Sequence, residues 1–197
     1  MGSRTIGVSV AVPEPYGSLL QRRRAGFGDR AAYAIPSHVT LLPPTEADED
    51  LLPEFARHLA AVAEGGRAFP LRLSGTGTFR PLTPVVFVTL AEGAPDCARL
   101  QERVRSGPVS RELDFPYHPH VTVAHGIAPE ALDRAQCELA AFSAAWTVTG
   151  FALYQQDAGG VWHTLREFPF GRPPGAPAAL PHQYGTRPGA DAGGRLS

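Results

Sequence analysis

The tetrapeptide His38-Val39-Thr40-Leu41 recurs as His120-Val121-Thr122-Val123, each time at the same place in a matching string of predicted elements. The string reads strand, helix, His-x-Thr strand, helix, strand. Its first pass covers Thr5 to Val12, Pro15 to Arg30 (a helix or long loop), Ser37 to Leu42, Asp48 to Glu64 and Phe69 to Phe79. Its second covers Val85 to Leu90, Pro95 to Arg105, His120 to Ala124, Pro129 to Phe142 and Trp146 to Gln155. One His-x-Thr occurs by chance in many chains, but recurrence at matching positions about 80 residues apart argues for internal duplication. Local signals set the boundaries. Pro43-Pro44 is expected to end the first motif strand, and Gly65-Gly66 closes the helix whose spacing runs through Leu51, Leu52, Phe55, Leu59 and Val62. Asp157 to Gly160 reads as a hairpin turn into a last strand, Val161 to Phe168.

Side chains alternate along a strand, so His38 and Thr40 share one face, about 6 to 7 Å apart, while Val39 and Leu41 anchor the other in a core. The second motif divides in the same way. If the halves pack about a pseudo-two-fold axis, both His-Thr faces line one groove. An imidazole with an ordinary pKa of about 6.5 can accept or donate a proton near neutrality. Two of them on opposite sides of a phosphorus suit in-line displacement. One deprotonates the attacking water or hydroxyl, the other protonates the departing oxygen, and the Thr hydroxyls donate to nonbridging oxygens. This scheme requires no metal and no cofactor, and it does not say which His is the base.

Composition narrows the alternatives. The chain has 197 residues, 43% of them hydrophobic, enough for one sizeable core or two small lobes sharing one. Its 18 basic and 19 acidic residues leave a net charge of -1, so a small phosphorylated ligand or an RNA end suits it better than a DNA duplex. Every Lys/Arg position is Arg. The absence of Lys excludes a P-loop, a Lys-nucleotidylated ligase and Schiff-base chemistry. No apolar run approaches the ~18 residues of a membrane span and no secretory leader is evident, which makes cytoplasm the expected location. Cys97 and Cys137 form neither a disulfide framework nor a zinc pattern and read as buried apolar filler.

Through these motifs the chain resembles the 2H phosphoesterase superfamily, in its 2′-5′ RNA ligase-like or cyclic phosphodiesterase-like branch. The likeness extends to Ile35-Pro36-Ser37 before the first motif, Tyr117-His118-Pro119 before the second, and Gly75-Thr76-Gly77-Thr78-Phe79 after the first. It covers residues 3 to 168 in element order. Val123 stands where the family often has Leu, an apolar exchange. The resemblance implies an α+β, bilobed pseudo-two-fold fold with two antiparallel sheets flanking a central groove and helices outside. It implies metal-independent opening of a cyclic phosphodiester, typically a 2′,3′-cyclic phosphate on an RNA end or small nucleotide. His38 and His120 would then be the catalytic pair, and Thr40 and Thr122 the phosphate-binding residues. A 2′-5′ RNA ligase or phosphodiesterase, and a binding module that holds RNA ends or a nucleotide without turnover, stay open as alternatives.

Other residues are candidates to line the groove. Phe79 could stack a base, although a Phe at a strand end also suits a core. Arg80 follows the Gly75-Thr76-Gly77 stretch, Tyr33 and Tyr117 each precede a motif, and His118 and His125 flank the second one. His118 shares a strand face with His120 and invites a zinc reading, but no carboxylate or Cys stands nearby at ligand spacing, so it is assigned to the rim. Gly75 and Gly77 could let a ligand approach closely. Arg22 to Arg24 reads as a solvated helix face. Residues 1 to 170 are expected to form a single bilobed domain and a monomer. Residues 171 to 197, with six Gly and five Pro, are expected to be a disordered tail.

Overall fold

A strongly β-branched segment, Ser3–Ala11, forms β1, an inner strand of the first sheet in a computed structural model that describes residues 2–171. The expected tail, from residue 172 on, lies outside the described residues. Helix α1 (Tyr16–Gly26) leads to the first motif strand, β2 (His38–Asp48), which continues through a short 3-10 turn (Glu49–Leu51) into α2 (Leu52–Glu64). Then come β3 (Phe69–Thr78), β4 (Val85–Glu92), α3 (Ala94–Arg105), the second motif strand β5 (His120–His125), and α4 (Pro129–Glu138). Strands β6 (Ser143–Val148), β7 (Gly150–Gln156) and β8 (Trp162–Pro169) complete the chain.

The strands form two four-stranded antiparallel sheets, ordered β2-β1-β7-β8 and β5-β4-β3-β6. Each motif strand is therefore the edge of its own sheet, paired on its inner side with the first strand of its string: Ala11 lies opposite His38, and Thr89 opposite His120. The two edges lie against each other, so neither is left to recruit a foreign strand. The expected duplication appears in the strand order, with the halves interleaved: β3 joins the second sheet, and β7 returns to the first. The helices that follow β1 and β4 also cross over, α1 packing on β5 and α3 on β2. That exchange carries a side chain from each lobe toward the other lobe's motif.

Three expected boundaries change for identifiable reasons. Pro43-Pro44 does not stop β2. The register against β1 slips between Ile6 and Ser9, Ile6 pairing with Thr45, Val8 with Leu42 and Ser9 with Thr40, so the prolines occupy a bulge where no ladder N–H is needed. The expected strand Trp146 to Gln155 is two strands in different sheets, divided at Thr149. Gly150 permits the division, because a Cβ there would stand 2.5 Å from the Phe168 carbonyl oxygen. Helix α4 ends at Glu138 rather than Phe142, and Ser143 already pairs with Ser74 of β3.

The apolar halves of both motifs reach the core as the alternation requires: Val39, Leu41, Val121 and Val123 are fully buried. They join Ile6, Val8, Phe55, Leu59, Leu73 and Val86 in one cluster spanning both sheets. At about 25 cal/mol per Å² of apolar surface buried, each of these side chains contributes roughly 1.5 to 3 kcal/mol, which fixes the strand registers and the outward face of His and Thr. Cys97 is filler as expected, fully buried with its thiol pushed up to about 12 by that burial, but Cys137 is exposed on α4. No helix among the described residues is long and apolar enough to cross a membrane.

Candidate active site

The groove between β2 and β5 divides into two compartments that meet at Thr40. The smaller, about 200 Å³, is lined by His38, Thr40, Thr122, Arg24, Tyr154 and Trp162. The larger, about 540 Å³, is lined by His120 and Thr40 together with Phe79, Tyr117, His118 and residues of the 111 to 116 loop. Between them the two compartments, which share Thr40, are lined by all four motif residues.

Both imidazoles are oriented by the same device. Nδ1 of His38 is 2.7 Å from the carbonyl oxygen of Pro36, and Nδ1 of His120 is 2.7 Å from that of His118. A carbonyl only accepts, so Nδ1 carries the hydrogen and donates, which leaves Nε2 of each ring for proton transfer. Burial lowers both pKa values. His38 falls to about 4, through burial first and then the charges of Arg24 and His120, against the opposing bond to Pro36. His120 is lowered by burial and by His118, against its bond to the His118 carbonyl.

The second motif ring is braced by aromatic neighbours. Phe79 meets His120 edge to face at 4.9 Å and His118 at 5.5 Å, while Phe87 lies 5.1 Å from His120. Gly77 serves this packing rather than a ligand: a Cβ at Gly77 would stand 2.6 Å from the Phe87 ring. Tyr117 reaches across the groove, its hydroxyl donating to the Thr40 carbonyl at 2.8 Å and its pKa raised by burial.

Two of the candidate lining residues do not belong to the groove. Tyr33 is 66% exposed and stands outside both compartments. Arg80 is turned onto α4, where its guanidinium donates to Asp133 at 2.8 Å and Gln136 at 3.0 Å. His118 does line the larger compartment. Its ring centroid is 6.2 Å from that of His120, and among the described residues no group of three or more His, Cys, Asp or Glu side chains is placed to hold a metal ion.

Arg24 was hidden in the sequence by its basic neighbours. Arg22 and Arg23 are exposed, but Arg24 is buried because α1 crosses onto β5. Its Nε donates to Asp29 at 2.7 Å, leaving the two terminal nitrogens for the small compartment. Gln101 is a further wall residue that spacing did not single out, in the larger compartment, and Trp162 and His125 both line the smaller one.

A family model described as the 2′-5′ RNA ligase superfamily matches residues 12–160, a span that contains both motifs and the whole lining of the larger compartment. The chain belongs to that superfamily. Among relatives of this 2′-5′ RNA ligase superfamily protein are proteins of Bacillus cytotoxicus and Bacillus cereus that carry the provisional name of phosphoesterase. Each is 26% identical over 140 residues, covering 70% of this chain and 81% of the relative. The superfamily fold is shared with TT0787 of Thermus thermophilus, at a TM-score of 0.60 and 25% identity over 85% of this chain and 98% of that one. It is shared also with LigT of E. coli complexed with 3′-AMP, at a TM-score of 0.58 and 17% identity over 87% of this chain and all of LigT.

Proposed function

We propose that the chain is a metal-independent phosphoesterase that opens a 2′,3′-cyclic phosphate, on an RNA end or a small nucleotide, by two-histidine acid/base catalysis. The observation that carries this reading is the matched tethering of His38 and His120, each held through Nδ1 with Nε2 available at the edge of one groove. In the ring-opening direction one imidazole takes a proton from water as its oxygen bonds to phosphorus. The other gives a proton to the ribose oxygen as its bond to phosphorus breaks, and the product is a ribose phosphomonoester. Thr40 and Thr122 donate to the nonbridging oxygens, whose charge grows in the transition state.

Arg24 separates the two roles. A permanent cation beside His38 disfavours its protonated form, which suits His38 to the base. His120 lacks that neighbour, and the charge of a bound phosphate favours its imidazolium, which suits it to the acid. The roles exchange in the reverse direction. Support for a nucleotide as substrate comes from LigT, a protein of this fold that has been crystallised with 3′-AMP, NADP+ and ATP.

The test is turnover of 2′,3′-cyclic nucleotides and cyclic-phosphate-ended oligoribonucleotides in EDTA. The wild type is expected to turn over, and His38→Ala and His120→Ala to lose about 10² to 10⁴-fold each. Unchanged turnover in His38→Ala overturns the reading.

A further inference from the structure

The two motif strands carry the same irregularity at the same place. In β2, Thr40 pairs with Ser9 and Leu42 with Val8, and in β5, Thr122 pairs with Phe87 and Ala124 with Val86. One residue of each strand, Leu41 or Val123, is therefore extra, and Leu41, Leu42, Val123 and Ala124 are all buried. A bulge of this kind reverses the alternation beyond it. The next side chain, Pro43 in one strand and His125 in the other, returns to the face of the motif Thr, where strict alternation would have turned it away. Pro43 lines the larger compartment and His125 the smaller. One lobe thus presents a ring without a donor where the other presents an imidazole.

His125 joins a second donor in that wall. Arg24 is only 9% exposed, and its Nε is held by Asp29, which also accepts from the His125 backbone N–H. The terminal nitrogens of Arg24 make no hydrogen bond among the described residues, yet they are not enclosed, and the side chain lines the small compartment. A buried guanidinium with free donors is a site for an anionic oxygen. The lining of the small compartment contains no Asp or Glu, and Asp29 itself is not part of it, whereas Glu112 and Asp114 line the larger one beside Arg111. Charge therefore directs an anionic group to the small compartment and away from the other. At about 200 Å³ the small compartment lies below the ~300 Å³ at which pockets begin to hold whole small molecules, which suits it to a phosphoryl group rather than a nucleoside.

His125 stands three residues past Thr122, roughly 7 to 10 Å along the strand at ~3.3 Å per residue, so the two side chains serve neighbouring groups rather than one phosphate. We propose that Arg24 and His125 form a subsite for a second phosphoryl group of the substrate, carried on the 5′ oxygen of the nucleoside whose cyclic phosphate is opened. In a mononucleotide that group is a free 5′-phosphate, and at an RNA end it is the diester to the upstream nucleotide. Arg24 donates to it from its terminal nitrogens and His125 from a ring N–H. The assignment rests on the phosphoesterase reading, since the scissile phosphate held between the two histidines brings the second one to this compartment. It gives His125 no part in proton transfer, so the effect of His125 falls on KM more than on kcat.

The experiment compares three substrates in EDTA: adenosine 2′,3′-cyclic phosphate, its 5′-phosphorylated form, and the dinucleotide ApA ending in a 2′,3′-cyclic phosphate. Adenosine 3′,5′-bisphosphate and 3′-AMP serve as calorimetric ligands, and the proteins are wild type, His125→Ala and His125→Gln. Wild type is expected to prefer a 5′-substituted substrate by about tenfold or more in kcat/KM, mainly through KM, and the bisphosphate over 3′-AMP by a similar factor. His125→Ala keeps the backbone N–H bonded to Asp29 and lowers both preferences to within about threefold, and His125→Gln, which retains an N–H donor, recovers part of them. A preference for the 5′-monophosphate alone identifies a mononucleotide, and one shared by the dinucleotide identifies an RNA end. Equal use of the three substrates by wild type, a preference for the dinucleotide alone, or a preference unchanged in His125→Ala overturns the subsite while leaving the phosphoesterase reading standing. So does an equal loss on all three substrates in His125→Ala, which would put His125 on the scissile phosphate. Selective binding of the bisphosphate that His125→Ala weakens, with no turnover of any substrate, supports the subsite and overturns the phosphoesterase reading. Neither selective binding nor turnover overturns both.

Discussion

Asp29 accepts a hydrogen bond from Arg24 Nε at 2.7 Å and another from the backbone N–H of His125 at 3.1 Å. One buried carboxylate thus joins the helix of the first string to the end of the second motif strand, and fixes the cation nearest His38. A third donor, the N–H of Ala31 at 2.9 Å, completes its shell.

Removing one member of this buried pair is expected to cost more than removing both. Asp29→Ala leaves the Arg24 charge without its partner and two backbone donors without an acceptor, a loss of about 3 to 5 kcal/mol. Arg24→Met combined with Asp29→Asn carries no buried charge and keeps an amide oxygen for one of the two backbone donors, Ala31 N–H and His125 N–H, which bind different oxygens of Asp29. It should unfold in urea within about 1 to 2 kcal/mol of wild type. Activity does not follow stability here: the double variant loses about 10² to 10³-fold in kcat/KM, because the cation beside His38 is gone. A double variant with wild-type turnover would reduce Arg24 to a structural role.

Thr40→Val and Thr122→Val test the oxygen-donating role without disturbing the strands. Val is nearly isosteric with Thr and favoured in strands, and both residues stand on the groove face, so melting temperatures should barely move. Each hydroxyl lost removes one donor to a developing oxyanion, an expected fall of about 10²-fold in kcat. A loss confined to KM would instead show that the hydroxyls bind ground state and transition state alike.

The motif strands and their faces were legible because alternation is a local property: the side chains of His38-Val39-Thr40-Leu41 must divide two and two whatever surrounds them. The duplication was legible for a similar reason, as a repeat of local patterns. What the sequence hid depends on packing between distant segments. Arg24 sits in a run of three arginines and differs from Arg22 and Arg23 only because α1 crosses onto β5. Gln101 reads as one polar residue on a helix until α3 is laid on β2. Pro43-Pro44 carries a strong stop signal, overridden by a bulge that β1 accommodates at Gly7. Arg80 follows the Gly75 to Phe79 stretch in sequence and is drawn away from the groove by Asp133 and Gln136, which belong to α4.

Gly77→Ala should damage the site through the aromatic rings that back His120. The added methyl meets Phe87 at 2.6 Å, and Phe87 is one of the rings that hold His120. Overpacking of this kind costs about 1 to 3 kcal/mol. The ring displaced toward the groove misplaces Nε2 of His120, so kcat should fall while Phe87→Leu combined with Gly77→Ala recovers stability but not rate. Unaltered melting in Gly77→Ala would mean that Phe87 has room to retreat.

The half-buried imidazole of His38 makes stability depend on pH in a direction that can be fixed in advance. In the folded protein it is held down to about 4, by burial first, then by Arg24 and His120, whereas in the unfolded chain it titrates near 6.5. Above 6.5 both states leave it neutral and its contribution is constant. As pH falls from 6.5 toward 4 the unfolded chain takes up a proton that the folded protein refuses, so stability is lost across this window and the loss is complete below about 4. The size is on the order of 3 kcal/mol. His120, also lowered by burial, acts in the same direction. Urea unfolding at pH 7.5 and pH 4.5 is therefore expected to show a smaller drop for His38→Gln than for wild type, by roughly 2 kcal/mol, with the remaining drop carried by His120 and the other titrating groups. Equal drops in the two proteins would mean that His38 titrates normally in the fold, and would remove the basis for assigning it as the base.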